Sequence, residues 1–170
     1  MLDRSHSESP LVFFSERLTN SAAFGTLFRE GMDLVEETAA YLDGDGRSEA
    51  KALERSVSLT YATESMRLTT RLMQLASWLL LHRAVKEGEM TLTQANREKT
   101  KVKLTAADPG AEDMIAKLPQ QLQDLISRSM SLQTKVRRLD ATIHTPAAER
   151  APIGNPLVPQ LNRLKAAFEQ

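Results

Sequence analysis

The feature that most constrains this chain is a stretch of about 40 residues, Ser48 to Glu87, that contains neither proline nor glycine. A continuous α-helix of that length would span about 60 Å at about 1.5 Å per residue. Such a helix needs packing partners along its length, because helix propensity alone stabilises it weakly. A glycine-rich turn, Asp-Gly-Asp-Gly at residues 43–46, precedes it. A short turn before a long helix favours an antiparallel helical pair.

Two more segments have the hydrophobic spacing of helices that pack on other helices. One begins near Asn20 or Ser21, which are both good N-caps, and ends at the turn. The other runs from about Pro119 to Asp140. In both, apolar and small residues recur at alternating steps of four and three. The first row is Phe24, Phe28, Gly31, Val35, Thr38 and Leu42, with Leu27, Leu34 and Tyr41 beside it, and the second is Leu118, Leu122, Leu125, Ser129, Leu132, Val136, Leu139 and Ile143.

These patterns predict an all-α fold, namely a three-helix bundle with one very long central helix and flexible N- and C-terminal tails. Good helix formers dominate the composition, and valine, isoleucine and tyrosine are few. We expect a disordered N-terminus at residues 1–12, the bundle at residues 13–143 and a flexible tail at residues 144–170. The tail contains four prolines that break any long helix: Pro146, Pro152, Pro156 and Pro159.

Short elements are predicted in the segments outside the main helices. Thr91 and Gln94 match a capping box, and Asp108-Pro109 resembles another helix start. In the tail, apolar residues at helical spacing predict a short amphipathic helix that forms when it docks on a partner. The residues of this row that we predict to make tail contacts are Leu161, Leu164 and Phe168, preceded by Leu157.

The composition predicts a soluble cytoplasmic protein. The chain has no cysteine, which excludes disulfides, thiolate nucleophiles and cysteine-based zinc sites and suits a reducing compartment. Residues 1–10 lack the apolar core of a signal peptide, and the most apolar run, Leu75 to Leu81, is far too short to span a bilayer. There are 22 basic and 22 acidic residues, so bulk charge favours neither nucleic acid nor a membrane surface.

No pattern of residues indicates catalysis. The three histidines, His6, His82 and His144, do not occur in any metal-binding or nucleophile motif, and there is no phosphate-binding or dinucleotide-binding loop. The acidic residues Glu30, Asp33 and Glu37 share one side of the first helix, and carboxylates bind hard cations. A solvated acidic face is the favoured interpretation of that cluster. We therefore predict no enzyme activity, no cofactor and no metal.

A basic cluster leaves a second class of function open. It follows the long helix and is diluted by Glu98. Nucleic-acid binding would use such a cluster, and a helical nucleic-acid-binding regulator is the alternative function. No aromatic residue interleaves with it and the net charge is zero, so a solvated connector is favoured. Its members are Arg97, Lys99, Lys101 and Lys103.

The long helix is apolar on more than one side near its C-terminal half. One face has Leu68, Leu72, Leu75 and Leu79, with Met66, Met73 and Leu80 beside it. A second stripe begins polar and ends apolar: Arg67, Arg71, Gln74, Trp78 and Leu81. One interpretation makes this stripe a partner-binding or dimer interface, since tryptophan and arginine are common interface anchors, and it predicts a homodimer. In the other, the irregular segment at residues 89–117 covers Trp78 and Leu81.

Long runs of this sequence resemble one known family. They are FGTLFREGMDLVEETAAYLDGDGR at residues 24–47, YATESMRLTTRLMQLASWLLLHRAVKEGEM at residues 61–90, and LISRSMSLQTKVRRLD at residues 125–140. They are similar to the alphaproteobacterial regulator of CtrA degradation (RcdA) family. The resemblance covers roughly residues 13–140 and is carried by these runs and not by one short motif.

The resemblance implies a dimerising three-helix bundle with a flexible C-terminal tail. It implies an adaptor for the ClpXP protease that works with a response-regulator-type adaptor and hands over substrates such as cell-cycle regulators. It also implies concentration at a cell pole and supplies no catalytic residue. It assigns no position to a partner site, so the stripe and tail residues named above rest on helical geometry alone.

Overall fold

The computed structural model describes residues 22–99 and 112–144, and all regular structure in these two ranges is helical. Three of the helices, α1, α3 and α6, pack together as a bundle, which confirms the predicted all-α three-helix architecture. The predictions for the N-terminus, for Asp108-Pro109 and for the tail lie outside the described residues. The helices are α1 (Ala22–Asp43), α2 (Asp45–Lys51), α3 (Arg55–Lys86), α4 (Leu92–Lys99), α5 (Glu112–Ile115) and α6 (Gln120–His144).

Contacts between the three long helices give their directions. Glu30 and Glu37 of α1 pair with Lys135 and Arg128 of α6, so these two helices are antiparallel. Along α3 and α6 the order is the same, since Arg71 contacts Ser129 and Trp78 contacts Asp140. These two helices are therefore parallel, and the connection between them leads from one end of the bundle to the other.

The predicted continuous helix from Ser48 is wrong in one respect, because the chain breaks between Lys51 and Arg55. The amides of residues 52 and 53 bond to carbonyls three residues earlier, and Glu54 is extended with ψ 153°. The break separates α2 from α3, and α2 contacts α1, where the Tyr41 hydroxyl donates to Glu49 Oε2 at 2.7 Å. Burial is the largest cause that raises the pKa of Tyr41, and this hydrogen bond is the second largest.

The buried residues match the predicted rows, except that the buried row of α1 is rotated about the helix axis. On α6 the predicted row is buried apart from the half-buried Leu139, and on α3 the predicted face is fully buried. On α1 the most buried row is shifted by part of a turn, so that Phe28, Val35 and Leu42 are half-buried at its edge. The buried residues of α1 are Phe24, Leu27, Gly31, Leu34, Thr38 and Tyr41.

Replacing Gly31 with alanine is expected to lower the free energy of unfolding by about 1–3 kcal/mol. The new methyl group would meet the side chain of Leu79, which is fully buried and has little room to move. Gly25 is the matched control, because it lies on the same helix and a Cβ there has nothing within 4 Å. Alanine at Gly25 should be neutral or stabilising by up to about 1 kcal/mol. Urea unfolding followed by circular dichroism compares the two, and equal effects would contradict a close approach at Gly31.

Candidate protein-binding surface

Trp78, the central residue of the predicted interface stripe, lies inside the bundle. Its side chain is 1% exposed. Its ring stacks on that of His82 with centroids 3.9 Å apart, and the ring of Phe24 is 6.3 Å away. The indole Nε1 donates a hydrogen bond to Asp140 Oδ1 at 2.8 Å. The same carboxylate accepts from Lys99 of α4, with an Nζ to Oδ2 distance of 2.7 Å. Trp78 is therefore covered by α1 and α6, and the predicted covering segment at residues 89–117 contributes through the contact of Lys99 with Asp140.

The other predicted stripe residues are also partly inside. Arg71 is 8% exposed and donates to Ser129 Oγ at 2.8 Å. Burial lowers the pKa of Arg71, because desolvation disfavours the charged form, and the nearby Glu64 opposes this shift. Arg67, which donates to Glu64 at 2.8 Å, is half-buried, as are Gln74 and Leu81. A partner could reach Arg71 or Trp78 only if the bundle opened, so the binding role of this stripe stays a prediction.

A different face of α3 is exposed and apolar. Four large residues recur along it at intervals of seven, and they form what we call the α3 stripe. A spacing of seven keeps residues on one side of a helix over several turns. Exposed large apolar residues that line up in this way, and are not scattered singly, mark binding surfaces in soluble proteins. The residues and their exposed fractions are Leu59 71%, Met66 72%, Met73 66% and Leu80 51%.

Small residues flank these four on the same face, and the hydroxyls of three of them donate to carbonyls of α3. Thr63 donates to Leu59 O at 3.0 Å, and Ser77 donates to Met73 O at 2.8 Å. Thr69 likewise donates to the carbonyl four residues earlier, at 2.8 Å. Covering these hydroxyls would therefore leave no donor unsatisfied, which removes a main cost of burying a polar group. The small residues that flank the α3 stripe are Ala62, Thr63, Thr69, Thr70, Ala76 and Ser77.

Charge is also absent from this face. Between Ser56 and His82, α3 contains three charged residues, of which Glu64 and Arg71 are buried. The third, Arg67, follows Met66 directly and so lies about 100° further around the helix. The heptad of apolar residues and this gap in charge are both visible in the sequence. The sequence patterns placed Met66, Met73 and Leu80 beside the core face. Leu59 was not identified, because the predicted interface was the stripe that contains Trp78.

Two residues of the predicted acidic face of α1 form ion pairs with basic residues of α6. Lys135 Nζ lies 2.9 Å from Glu30 Oε1, and Arg128 Nη2 lies 2.7 Å from Glu37 Oε2. The hydrogen bond from Arg128 lowers the pKa of Glu37, and the same contact raises the pKa of Arg128. In the described ranges no group of three or more histidine, cysteine or acidic residues is arranged to hold a metal ion.

The basic cluster and the tail are only partly covered by the structure. Arg97 and Lys99 end α4, and Lys99 is paired with Asp140, so one charge of the cluster is engaged within the bundle. Lys101 and Lys103 lie outside the described residues, as do the predicted tail contacts Leu161, Leu164 and Phe168. Among the described helices, none combines the length and hydropathy needed to cross a membrane.

A helical bundle that exposes an apolar row on its longest helix has a feature that is typical of protein-binding modules. A family model described as a protein of unknown function (DUF1465) matches residues 15–168. The crystal structure of RcdA from Caulobacter crescentus CB15 is 48% identical in sequence, with a TM-score of 0.64. That match covers 78% of this chain and 99% of that chain. No curated protein sequence matches significantly. The chain belongs to the RcdA family.

Proposed function

We propose that this protein is a proteolytic adaptor that tethers substrates such as cell-cycle regulators to the ClpXP protease. The observation that carries this proposal is the 48% identity to RcdA over 99% of the length of that chain. The family's role as a regulator of degradation is what the resemblance implies for this chain. Its partners would be the protease together with a response-regulator-type adaptor, the client proteins and a second copy of itself, in the cytoplasm and concentrated at a cell pole.

The physical basis of such an adaptor is effective concentration. A protein that binds client and protease at once makes their encounter intramolecular, so the rate of capture rises without new chemistry. The described part of the chain fits this task, because its features are a helical bundle with a buried core and an exposed apolar face. Residues 145–170 follow α6 and supply a second region where contacts could form.

Reconstituted degradation tests this proposal directly. With protease, partner adaptor and client present, client degradation should rise with the concentration of this protein, pass through an optimum and then fall. The fall is expected because excess adaptor places client and protease on separate copies. The apparent Michaelis constant should decrease more than maximal turnover increases, since tethering is mainly a binding effect. The measurement is client half-life across a wide titration.

Two results would contradict the proposal. One is a client half-life that does not change anywhere in the titration with every partner present. The other is an acceleration that persists with a client variant that no longer binds this protein, because tethering would then not be the mechanism. A client that the protease recognises without help is the control, and its half-life should not depend on this protein.

A further inference from the structure

The outer side of α6 carries two arginines that the bundle does not neutralise. Residues 125–139 of this helix include four basic residues and no acidic one. Two of them, Arg128 and Lys135, form the ion pairs with α1. The other two, Arg137 and Arg138, are exposed, and neither side chain forms a hydrogen bond or an ion pair with a described residue. This part of α6 therefore presents two adjacent positive charges to solvent.

These two arginines border a surface groove that runs along the helix, which we call the α6 groove. Its volume is about 360 Å³, near the lower end of the range for ligand-binding pockets. Its lining is basic and polar, with one small apolar residue, and arginine side chains there can donate several hydrogen bonds to an anion. The lining residues are Gln133, Thr134, Arg137, Arg138 and Ala141.

The nearest acidic residue along α6 does not cancel these charges. Asp140 follows Arg137 by three residues, a spacing at which helix side chains can pair. Its carboxylate instead accepts from Trp78 Nε1 at 2.8 Å and from Lys99 Nζ at 2.7 Å. The end of α6 at His144 is more than one turn beyond the arginines, so the helix dipole does not account for them either. Within the described residues the α6 groove has no counter-ion of its own.

A buried arginine adds to the positive potential on this side of the bundle. Arg71 is 8% exposed, and it donates to the neutral hydroxyl of Ser129 at 2.8 Å. Ser129 lies about one turn before Gln133 on α6. The acidic neighbour of Arg71, Glu64, is paired with Arg67 at 2.8 Å. Because charges inside a protein are screened less than charges in water, Arg71 contributes to the potential in the groove without touching a ligand.

We infer that the α6 groove binds an acidic segment of a partner protein, whose carboxylates pair with Arg137 and Arg138. Arginine holds a carboxylate through two parallel hydrogen bonds, which makes such pairs strong and directional. This inference rests on the proposed function and gives one contact of the adaptor its location and its chemistry. Since the chain has a net charge of zero, the attraction comes from this groove and not from bulk charge.

An acidic protein segment fits the α6 groove better than a nucleic acid does. Binding of nucleic acid uses a track of phosphate contacts, and single strands also need aromatic side chains on which bases stack. The lining of the groove has two arginines and no aromatic residue. Two of the other basic residues of α6, Arg128 and Lys135, are already paired with α1 and do not extend the track.

Fluorescence anisotropy with the full-length protein tests this inference. A labelled peptide of alternating glutamate and glycine should bind, and the matching peptide of glutamine and glycine should not. Arg137→Gln together with Arg138→Gln should weaken binding by about tenfold or more, because both counter-ions are lost. Arg29→Gln together with Lys117→Gln is the matched control, since it removes the same charge from two exposed side chains outside the groove. The control should bind the acidic peptide as the wild type does.

Charge reversal supplies a second test. Arg137→Glu together with Arg138→Glu should lose the glutamate peptide and gain binding of a peptide of alternating lysine and glycine. Both side chains are exposed, so circular dichroism and thermal unfolding should match the wild type. A wild-type chain that does not bind the acidic peptide, or binding that survives the loss of both arginines, would overturn the inference. Arginine-dependent binding of a labelled DNA duplex without binding of the peptide would overturn it as well.

The degradation assay separates this inference from the proposed function. An excess of the glutamate peptide should lengthen client half-life by competing for the α6 groove, and the glutamine peptide should not. Normal delivery of every client by the chain with Arg137→Gln and Arg138→Gln would overturn the inference and leave the adaptor function intact. A wild-type chain that binds the acidic peptide through these arginines but never changes client half-life would overturn the proposed function and support the groove as a site for acidic segments.

Discussion

Replacing Trp78 with alanine is expected to destabilise the bundle by about 3–5 kcal/mol, the range for truncating a fully buried aromatic residue. The change empties the space between α1, α3 and α6 where the indole meets His82 and Phe24. It also removes the donor to Asp140. Since small domains have total stabilities of about 5–15 kcal/mol, much of the folded population could be lost at physiological temperature.

Met73→Ala is the matched control for this prediction. Met73 is on the same helix and is 66% exposed, so its truncation should change the free energy of unfolding by about 0.5 kcal/mol or less. Trp78→Phe should be intermediate, because it keeps an aromatic ring and loses only part of the volume and the Nε1 donor. Chemical denaturation with a shared slope compares the three variants. A Trp78→Ala protein as stable as Met73→Ala but unable to self-associate would restore the interface that the sequence suggested.

The bundle itself could be predicted because its signals are local and repeated. Steps of four and three identified the buried row of α6 and, apart from a shift of part of a turn, that of α1, and Thr91 with Gln94 identified the cap of α4. In the structure Gln94 N donates to Thr91 Oγ1 at 3.2 Å, and Thr91 N donates to Gln94 Oε1 at 2.9 Å. Such patterns depend on neighbours within a turn or two, so one sequence contains them completely.

The break before α3 and the location of Trp78 could not be predicted in the same way. No glycine or proline marks residues 52–54, and an extended backbone at Glu54 is open to any residue. The cover over Trp78 depends on Asp140 and Lys99, which are 62 and 41 residues away from their partners in sequence. A helical wheel shows which residues share a face but not which faces the rest of the chain will cover.

Ending the chain at His144 is expected to reduce delivery of at least some clients by about tenfold or more while the bundle stays folded. The described core and the α1–α6 ion pairs all lie between residues 22 and 144, so the truncated protein retains every described contact among the three helices. If residues 145–170 supply one of two tethering contacts, their removal turns a two-point attachment into a one-point attachment. The loss should be greatest at low adaptor concentration, where the second contact contributes most to retention.

Substitutions within the tail separate its apolar row from its length. The variant Leu161→Ala, Leu164→Ala and Phe168→Ala should reproduce most of the defect, because these residues form the predicted docking row. A control variant with Gln160→Ala, Asn162→Ala and Lys165→Ala alters the same segment and keeps that row, so it should deliver clients normally. Thermal unfolding of all three proteins should match the wild type. Full delivery of every client by the chain ending at His144 would show that the tail makes no tethering contact, and adaptor activity would then depend on surfaces of the bundle alone.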